Sequence, residues 1–136
     1  MESSQEYQEQ LLKFRYFKEQ REMFQGQLEI INASLGNVMN TKITLENLKD
    51  GIQEDDEILL PIGGLVNIKA SIKDPEKILL AVTQDVIIEK DLDGSIEFLE
   101  KLIEQHNKQL QFLQTQIQNI DVNLQRISQT IQRGYS

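Results

Sequence analysis

Apolar residues recur at alternating spacings of three and four at both ends of the chain. In the first stretch this spacing runs from Tyr7 to Leu45, and nine of its twelve positions are apolar. In the last stretch it runs from Leu92 to Ile131, and eleven of twelve positions are apolar. A heptad pattern held over this length imposes a left-handed supercoil. It therefore predicts two long coiled-coil helices, over residues 3–50 and 91–133.

The two apolar stripes have equal numbers of positions, so they can pair with each other. An antiparallel hairpin sets Tyr7 opposite Ile131 and Leu28 opposite Leu110. In this register each polar exception meets an apolar position, and the exceptions are Gln10, Arg21, Lys42 and His106. This agreement favours pairing within one chain, and pairing between chains is the alternative.

The middle of the chain carries the helix-breaking residues and a different pattern. Both prolines and five of the seven glycines lie between positions 36 and 94. Extended apolar runs at 57–62 and 65–72 flank Gly63-Gly64, and runs at 77–82 and 86–90 flank a turn at 83–85. The pattern predicts an α+β fold, in which two β-hairpins at 57–90 lie between the helices of a single domain over 1–136.

The predicted helix ends also have local signals. Gly51 can take the left-handed conformation that often ends a helix, so we expect the first helix to close at Asp50-Gly51. The carboxylate of Asp91 is suited to accept an N–H group at the start of the second helix.

Four short strands are too few to form a stable sheet alone. An isolated hairpin is marginal in water, and exposed strand edges invite pairing with other chains. We therefore expect the hairpins to be completed by other subunits in an obligate oligomer. The apolar residues predicted to mediate this contact are Leu59, Ile62, Val66, Ile68, Ile78, Leu80, Val82, Val86 and Ile88.

Composition narrows the functional classes. The chain has 22 acidic and 14 basic side chains and no cysteine. This balance argues against nucleic acid or an anionic membrane as a partner, and the lack of cysteine fits a reducing, cytoplasmic setting. No run is apolar and long enough to predict a membrane span.

The sequence offers little for catalysis. It shows no nucleophile–base pair and no metal-ligand cluster, so we expect neither enzymatic activity nor a cofactor. His106 is the only histidine and lies in the apolar stripe, where it is expected to tune helix register.

The middle segment carries a resemblance to a known family. Leu-Pro-Ile-Gly-Gly-Leu-Val-Asn-Ile at 60–68, Asp-Pro-Glu-Lys at 74–77, Leu-Ala-Val at 80–82 and Val-Ile-Ile-Glu-Lys-Asp at 86–91 lie between the two long helices. Together they resemble α-class subunits of prefoldin, most closely the archaeal forms. Two hairpins rather than one mark the α class, although the turn at 83–85 lacks the glycine common in relatives.

The resemblance implies an ATP-independent molecular chaperone. In that family two α and four β subunits join their hairpins into a double β-barrel platform. Six coiled-coil arms extend from the platform and capture unfolded proteins at their tips for a group II chaperonin. The alternative is a structural coiled-coil protein that builds scaffolds or filaments.

Apolar residues outside the heptad stripe support capture at the arm tips. Leu11, Leu12, Tyr16 and Val122 fall on positions outside the stripe, and Tyr135 follows the last heptad. Fraying of the helix ends would expose further apolar residues, namely Tyr7, Phe14, Phe17, Ile127 and Ile131. We expect this set to bind unfolded proteins. The alternative is that these are ordinary isolated hydrophobic residues on a protein surface.

Overall fold

The computed structural model describes the backbone of residues 2–135 and the side chains of residues 4–134. Its elements in chain order are α1 (Glu2–Gly51), β1 (Glu57–Gly63), β2 (Val66–Ser71), β3 (Lys77–Ala81), β4 (Ile87–Asp91) and α2 (Leu92–Tyr135). The predicted fold, two long helices with two antiparallel hairpins between them, is confirmed. Within the described chain the hairpins form two separate two-stranded sheets, so the single chain has no closed barrel.

The chain divides into two compact units. The terminal unit comprises residues up to Leu35 and those from Gln105 onward, and the hairpin unit comprises Gly36–Glu104. In the terminal unit, Ser34 Oγ and His106 Nε2 of α1 and α2 share a hydrogen bond of 2.9 Å. In the hairpin unit, Lys42 Nζ lies 3.5 Å from Glu100 Oε1. Each unit thus pairs the two helices antiparallel within one chain.

The predicted register is confirmed where Leu45 packs in one core cluster with Leu92, which that register sets opposite it. The ion pairs at the rim reach further along α2: Arg21 pairs with Asp121, four residues beyond Ile117, and Lys42 pairs with Glu100, four residues beyond Ile96. Helical side chains lean toward the N-terminus of their own helix. In an antiparallel pair, an α1 side chain leans toward the start of α1 and an α2 side chain toward the start of α2. The residues whose side chains meet therefore lie further along α2 than those whose backbones face each other.

The helix ends agree with expectation at α2 and differ at α1. Asp91 Oδ1 accepts the Gly94 N–H at 2.6 Å, which confirms the predicted cap. Helix α1 ends at Gly51, but that glycine does not have a positive φ, so the expected left-handed closure is wrong. The Ile52 N–H still bonds to the Leu48 carbonyl, which keeps the last turn helical, and the left-handed residue is Asp55 with a φ of 67°.

The two hairpin turns are built differently. In β1–β2, Leu60 pairs with Ile68, the register shifts between Pro61 and Gly63, and the loop is Gly64-Leu65, one residue later than predicted. Gly63 and Gly64 have φ values of 135° and 49°, a region that L side chains rarely enter.

The β3–β4 turn uses a side chain in place of glycine. The Thr83 hydroxyl accepts the N–H of Asp85 at 3.3 Å and that of Val86 at 3.1 Å. Short side-chain bonds of this kind hold a turn without a left-handed residue. The turn therefore forms without the glycine that is common at this turn in prefoldin relatives.

Most of the buried core comes from α2. In the hairpin unit, Leu45 packs with Leu92 and Leu99. In the terminal unit the buried apolar residues all lie on α2, and they are Leu110, Leu113, Ile117, Ile120 and Ile127. The α1 residues at stripe positions there are half-buried, among them Phe14, Phe17, Phe24 and Leu28, apart from the exposed Tyr7.

Candidate functional site

Exposed apolar side chains are concentrated on the two hairpins. We call this set the hairpin surface, and it consists of Leu59, Leu60, Ile62, Leu65, Val66, Ile68, Leu79, Val82, Val86 and Ile87. Leu65 at the β1–β2 turn is fully exposed, and Leu79 is 71% exposed. Exposed apolar side chains in this number on two short hairpins indicate a site of protein interaction.

Alternation along β3 and β4 gives the second hairpin two distinct faces. Ile78 packs against the core of Leu45, Leu92 and Leu99, and Leu80 is buried. Leu79 and Ile87 point to the opposite face and are exposed. One face thus joins the hairpin to the helices of its own unit, and the other is left for a partner.

Each hairpin also leaves its strand edges unpaired. The described residues form two sheets of two strands, so every strand has one edge without a hydrogen-bonded neighbour. Unpaired edges are templates for strands of another chain. The hairpin surface therefore offers both backbone hydrogen-bonding groups and apolar side chains.

The nine residues predicted at the oligomer contact fall into two groups. Leu59, Ile62, Val66, Ile68, Val82 and Val86 are exposed, as an intersubunit contact requires. Ile78 and Ile88 are half-buried and Leu80 is buried, all on the inner face of β3–β4. Leu60, Leu65, Leu79 and Ile87 are exposed as well, although the strand pattern did not predict them as contact residues.

A second candidate site is a groove in the terminal unit. We call it the terminal groove, and it has a volume of about 550 Å³ lined by Gln10, Lys13, Tyr16, Phe17, Asn123, Arg126, Ile127 and Thr130. Tyr16 and Phe17 meet edge to face, with ring centroids 5.5 Å apart. Aromatic and apolar side chains here lie beside two cationic ones.

Of the ten residues predicted to contact unfolded proteins, Tyr16, Phe17 and Ile127 line this groove, and Leu11 and Leu12 line a separate one with Gln8 and Arg15. Leu12 is 64% exposed, Tyr16 58% and Val122 53%, and Tyr7 is also exposed. Leu11, Phe14, Phe17 and Ile131 are half-buried, and Ile127 is buried. The Tyr135 side chain lies outside the described residues. Of the residues predicted to bind unfolded proteins, some are therefore exposed in the folded helices, and the others would become fully exposed only if the helix ends frayed.

Other exposed apolar residues on the helices lie off the heptad stripe. Phe112 is 59% exposed and lines a shallow groove with Gln27, Ile31 and Leu113. Ile30 is 70% exposed. Their positions outside the stripe are the only sequence signal that could have identified them.

Ion pairs join α1 to α2 outside the lining of the terminal groove. Arg21 Nε donates to Asp121 Oδ1 at 2.6 Å, and this bond raises the pKa of the guanidinium. Lys49 Nζ lies 2.9 Å from Asp93 Oδ1, and that hydrogen bond raises the pKa of the lysine. Among the residues described, no acidic or histidine side chains cluster in a way that would hold a metal ion.

The charge of the chain is distributed unevenly. Segment Gly36–Glu104 contains 15 acidic and 7 basic side chains, and the remaining residues contain 7 of each. The entire excess of −8 therefore lies in the hairpin unit. No described helix has a window apolar and long enough to cross a membrane.

Comparison with known proteins identifies the family. The family model for prefoldin subunits matches residues 17–136 of the chain. The chain belongs to the prefoldin family. Prefoldins are chaperones, so membership supports the role of a chaperone subunit.

The prefoldin relatives are α subunits from archaea. The chain is 31% identical to the prefoldin subunit alpha of Methanococcus maripaludis, over 85% of this chain and 77% of the relative. It is 24% identical to that of Pyrococcus horikoshii, over 96% of this chain and 88% of the relative. The predicted resemblance to the α class is confirmed.

A solved prefoldin structure shares the fold. It is a filamentous prefoldin from Methanocaldococcus jannaschii, with a TM-score of 0.72 and 17% identity, covering 85% of this chain and 94% of the other. The two long helices and intervening hairpins of this chain are therefore a prefoldin fold.

Proposed function

We propose that this prefoldin chain is the α-type subunit of a hexamer with four β-class subunits. The hexamer holds unfolded proteins without ATP and passes them to a group II chaperonin. In this proposal the chain is not an enzyme, needs no cofactor, acts in the cytoplasm and has no nucleic-acid or membrane partner.

The hairpin surface is the observation that carries the assembly proposal. Ten exposed apolar side chains and four open strand edges lie on two hairpins that are individually too small to be stable. Strands from neighbouring subunits would cover both features at once. Two hairpins per chain allow one α subunit to contribute to two shared sheets.

The terminal unit supports the capture of unfolded proteins. Leu12 and Tyr16 are exposed, and the half-buried Phe14 and Phe17 lie within two residues of them. Burial of apolar area contributes about 25 cal/mol per Å², which suits weak, sequence-tolerant binding repeated on several subunits.

Assembly into a filament or scaffold is a second candidate. The structural neighbour from Methanocaldococcus jannaschii is described as filamentous, and the hairpin surface does not by itself select which chain covers it. In this candidate the hairpins pair with copies of the same chain, and holding of unfolded proteins is not required.

Native mass spectrometry of the chain, alone and with candidate β subunits, separates the two assemblies. A hexamer with two copies of this chain is expected when a β subunit is present. Long homopolymers that ignore the β subunit would favour the filament. The assembled complex is then expected to suppress aggregation of a denatured protein equally with and without ATP.

Capture is tested with the double variant Leu12→Ser/Tyr16→Ser in the hexamer. Both side chains are exposed, so stability should change by no more than about 1 kcal/mol, whereas aggregation suppression should weaken. The matched control is Glu9→Ser/Glu19→Ser, which alters two exposed residues of the same helix without removing apolar area. Equal suppression by wild type and the Leu12/Tyr16 variant would refute capture by these residues.

A further inference from the structure

The terminal groove combines an apolar wall with cations that lack partners. Lys13 lies on α1 and Arg126 on α2, so both helices contribute a positive charge to the lining. Neither side chain forms an ion pair with any residue that the structure describes. Beside them lie Tyr16, Phe17 and Ile127.

The carboxylates of the same unit do not neutralise this groove. None of its eight lining residues is acidic. Asp121, on the α2 segment that leads into the groove, is bonded to Arg21 at 2.6 Å. Glu9 precedes Lys13 by one helical turn but forms no ion pair with it in the described structure.

The groove is positive in a chain that is acidic overall. The excess negative charge lies in the hairpin unit, and the terminal unit is neutral overall. The terminal unit therefore does not repel a carboxylate by its net charge. A carboxylate next to Lys13 or Arg126 gains a charge-assisted hydrogen bond. Gln10 and the second amide N–H of Asn123 can donate further hydrogen bonds, whereas the Thr130 hydroxyl already donates to the Arg126 carbonyl.

From this combination we infer that the terminal groove selects, among unfolded segments, those in which an apolar or aromatic residue is flanked by Asp or Glu. The apolar side chain packs on the exposed ring of Tyr16 beside the half-buried Phe17. The flanking carboxylates pair with Lys13 and Arg126. Segments with flanking Lys or Arg are disfavoured, because they meet two uncompensated cations. This inference rests on the proposed capture of unfolded proteins and specifies its substrate class.

Three labelled, unstructured peptides test the inference in the assembled complex. They share one apolar core and differ only in their flanks, which are Asp, Ser or Lys. Fluorescence anisotropy is expected to show the Asp-flanked peptide binding about threefold to tenfold tighter than the Lys-flanked one at low salt, the range for one or two exposed ion pairs. The difference should shrink at 0.5 M salt, where the Debye length falls to roughly 4 Å.

Matched variants test whether Lys13 and Arg126 cause the preference for Asp-flanked peptides. Lys13→Gln/Arg126→Gln is expected to abolish the preference for Asp flanks while leaving the Ser-flanked peptide bound. The control Lys18→Gln/Arg133→Gln removes the same charge from two exposed residues, one on each helix, that do not line the groove. It should keep the preference.

A second readout is direct contact with the peptide. Zero-length carbodiimide cross-linking joins an amine to a carboxylate in contact with it, so the Asp-flanked peptide should be recovered on Lys13 by mass spectrometry. Equal loss of preference in both variant pairs, or equal affinity for all three peptides, would overturn the inference while leaving capture intact. If none of the peptides binds, the proposed capture fails and the inference with it.

Discussion

Hairpin β3–β4 packs one face against its own helices, whereas hairpin β1–β2 is almost entirely exposed. In β1 and β2 only Ile58 and Ala70 are half-buried, but in β3 Leu80 is buried against the unit's core. Both hairpins have the same antiparallel topology and similar length. The difference indicates that packing within one chain stabilises β3–β4. Hairpin β1–β2 instead depends on a partner to cover its apolar residues.

The largest expected effect is on the hairpin that depends on a partner. Ile68→Asp places a carboxylate on the apolar face of β2, where burial without a partner costs several kcal/mol, so the hexamer should dissociate. Helix content by circular dichroism should remain near that of wild type. Native mass spectrometry measures the assembly.

Its control is Asn67→Asp, which adds the same charge one residue away on the other face of β2. This variant should weaken assembly less. An unchanged mass for Ile68→Asp would contradict an intersubunit contact at this face.

The next effect is on the hairpin that is anchored within the chain. Leu80→Ala removes a buried side chain and should lower the free energy of unfolding of the isolated chain by about 2–3 kcal/mol. Leu79→Ala on the same strand removes an equal volume from the exposed face and should cost about 0.5 kcal/mol or less. Urea titrations followed by circular dichroism compare them, and equal losses would show that the two faces of β3 are not distinct.

The turns should repeat the contrast on a smaller scale. Gly64→Ala places a side chain at a φ of 49° and should destabilise the β1–β2 turn by about 1 kcal/mol. Because we expect β1–β2 to depend on partner subunits for its stability, this loss is expected in thermal dissociation of the hexamer and not in unfolding of the isolated chain. Thr83→Val removes two hydrogen bonds from the β3–β4 turn and should destabilise the isolated chain by about 1 kcal/mol. If Gly64→Ala alone destabilises the isolated chain, β1–β2 is already formed there.

The smallest effect concerns the ion pair between the end of α1 and the start of α2. The pKa of Lys49 is raised above 10.5 by its bond to Asp93, so the pair stabilises the folded chain below that pH. The contribution disappears as the pH rises through the raised pKa. Lys49→Met should therefore be slightly less stable than wild type at pH 8, and the difference should vanish as the pH rises through the raised pKa of Lys49, as measured by urea midpoints. A difference that persists at the higher pH would reflect packing rather than charge.

Local patterns predicted the elements well because they are set by residues near in sequence. The heptads give the two helices, Asp91 caps α2 as expected, and the apolar runs give all four strands. The turn at 83–85 forms without glycine because Thr83 supplies its own hydrogen bonds, a substitution that propensity alone does not reveal.

Features that depend on contacts distant in sequence were harder to predict. A heptad defines which residues face the partner helix but not which charged side chains pair at the rim, so the bond from Arg21 to Asp121 was not predicted. Alternation along β3 shows that Leu79 and Leu80 lie on different faces but not which face the helices cover. The terminal groove was missed as a unit, because its cations, Lys13 and Arg126, lie more than a hundred residues apart.

The acidity of the hairpin unit bears on which copies can come together. Charges of its negative excess that lie within the Debye length of about 8 Å of a partner at physiological ionic strength repel like charges on it. We therefore expect contacts between two copies of this chain to strengthen as salt rises.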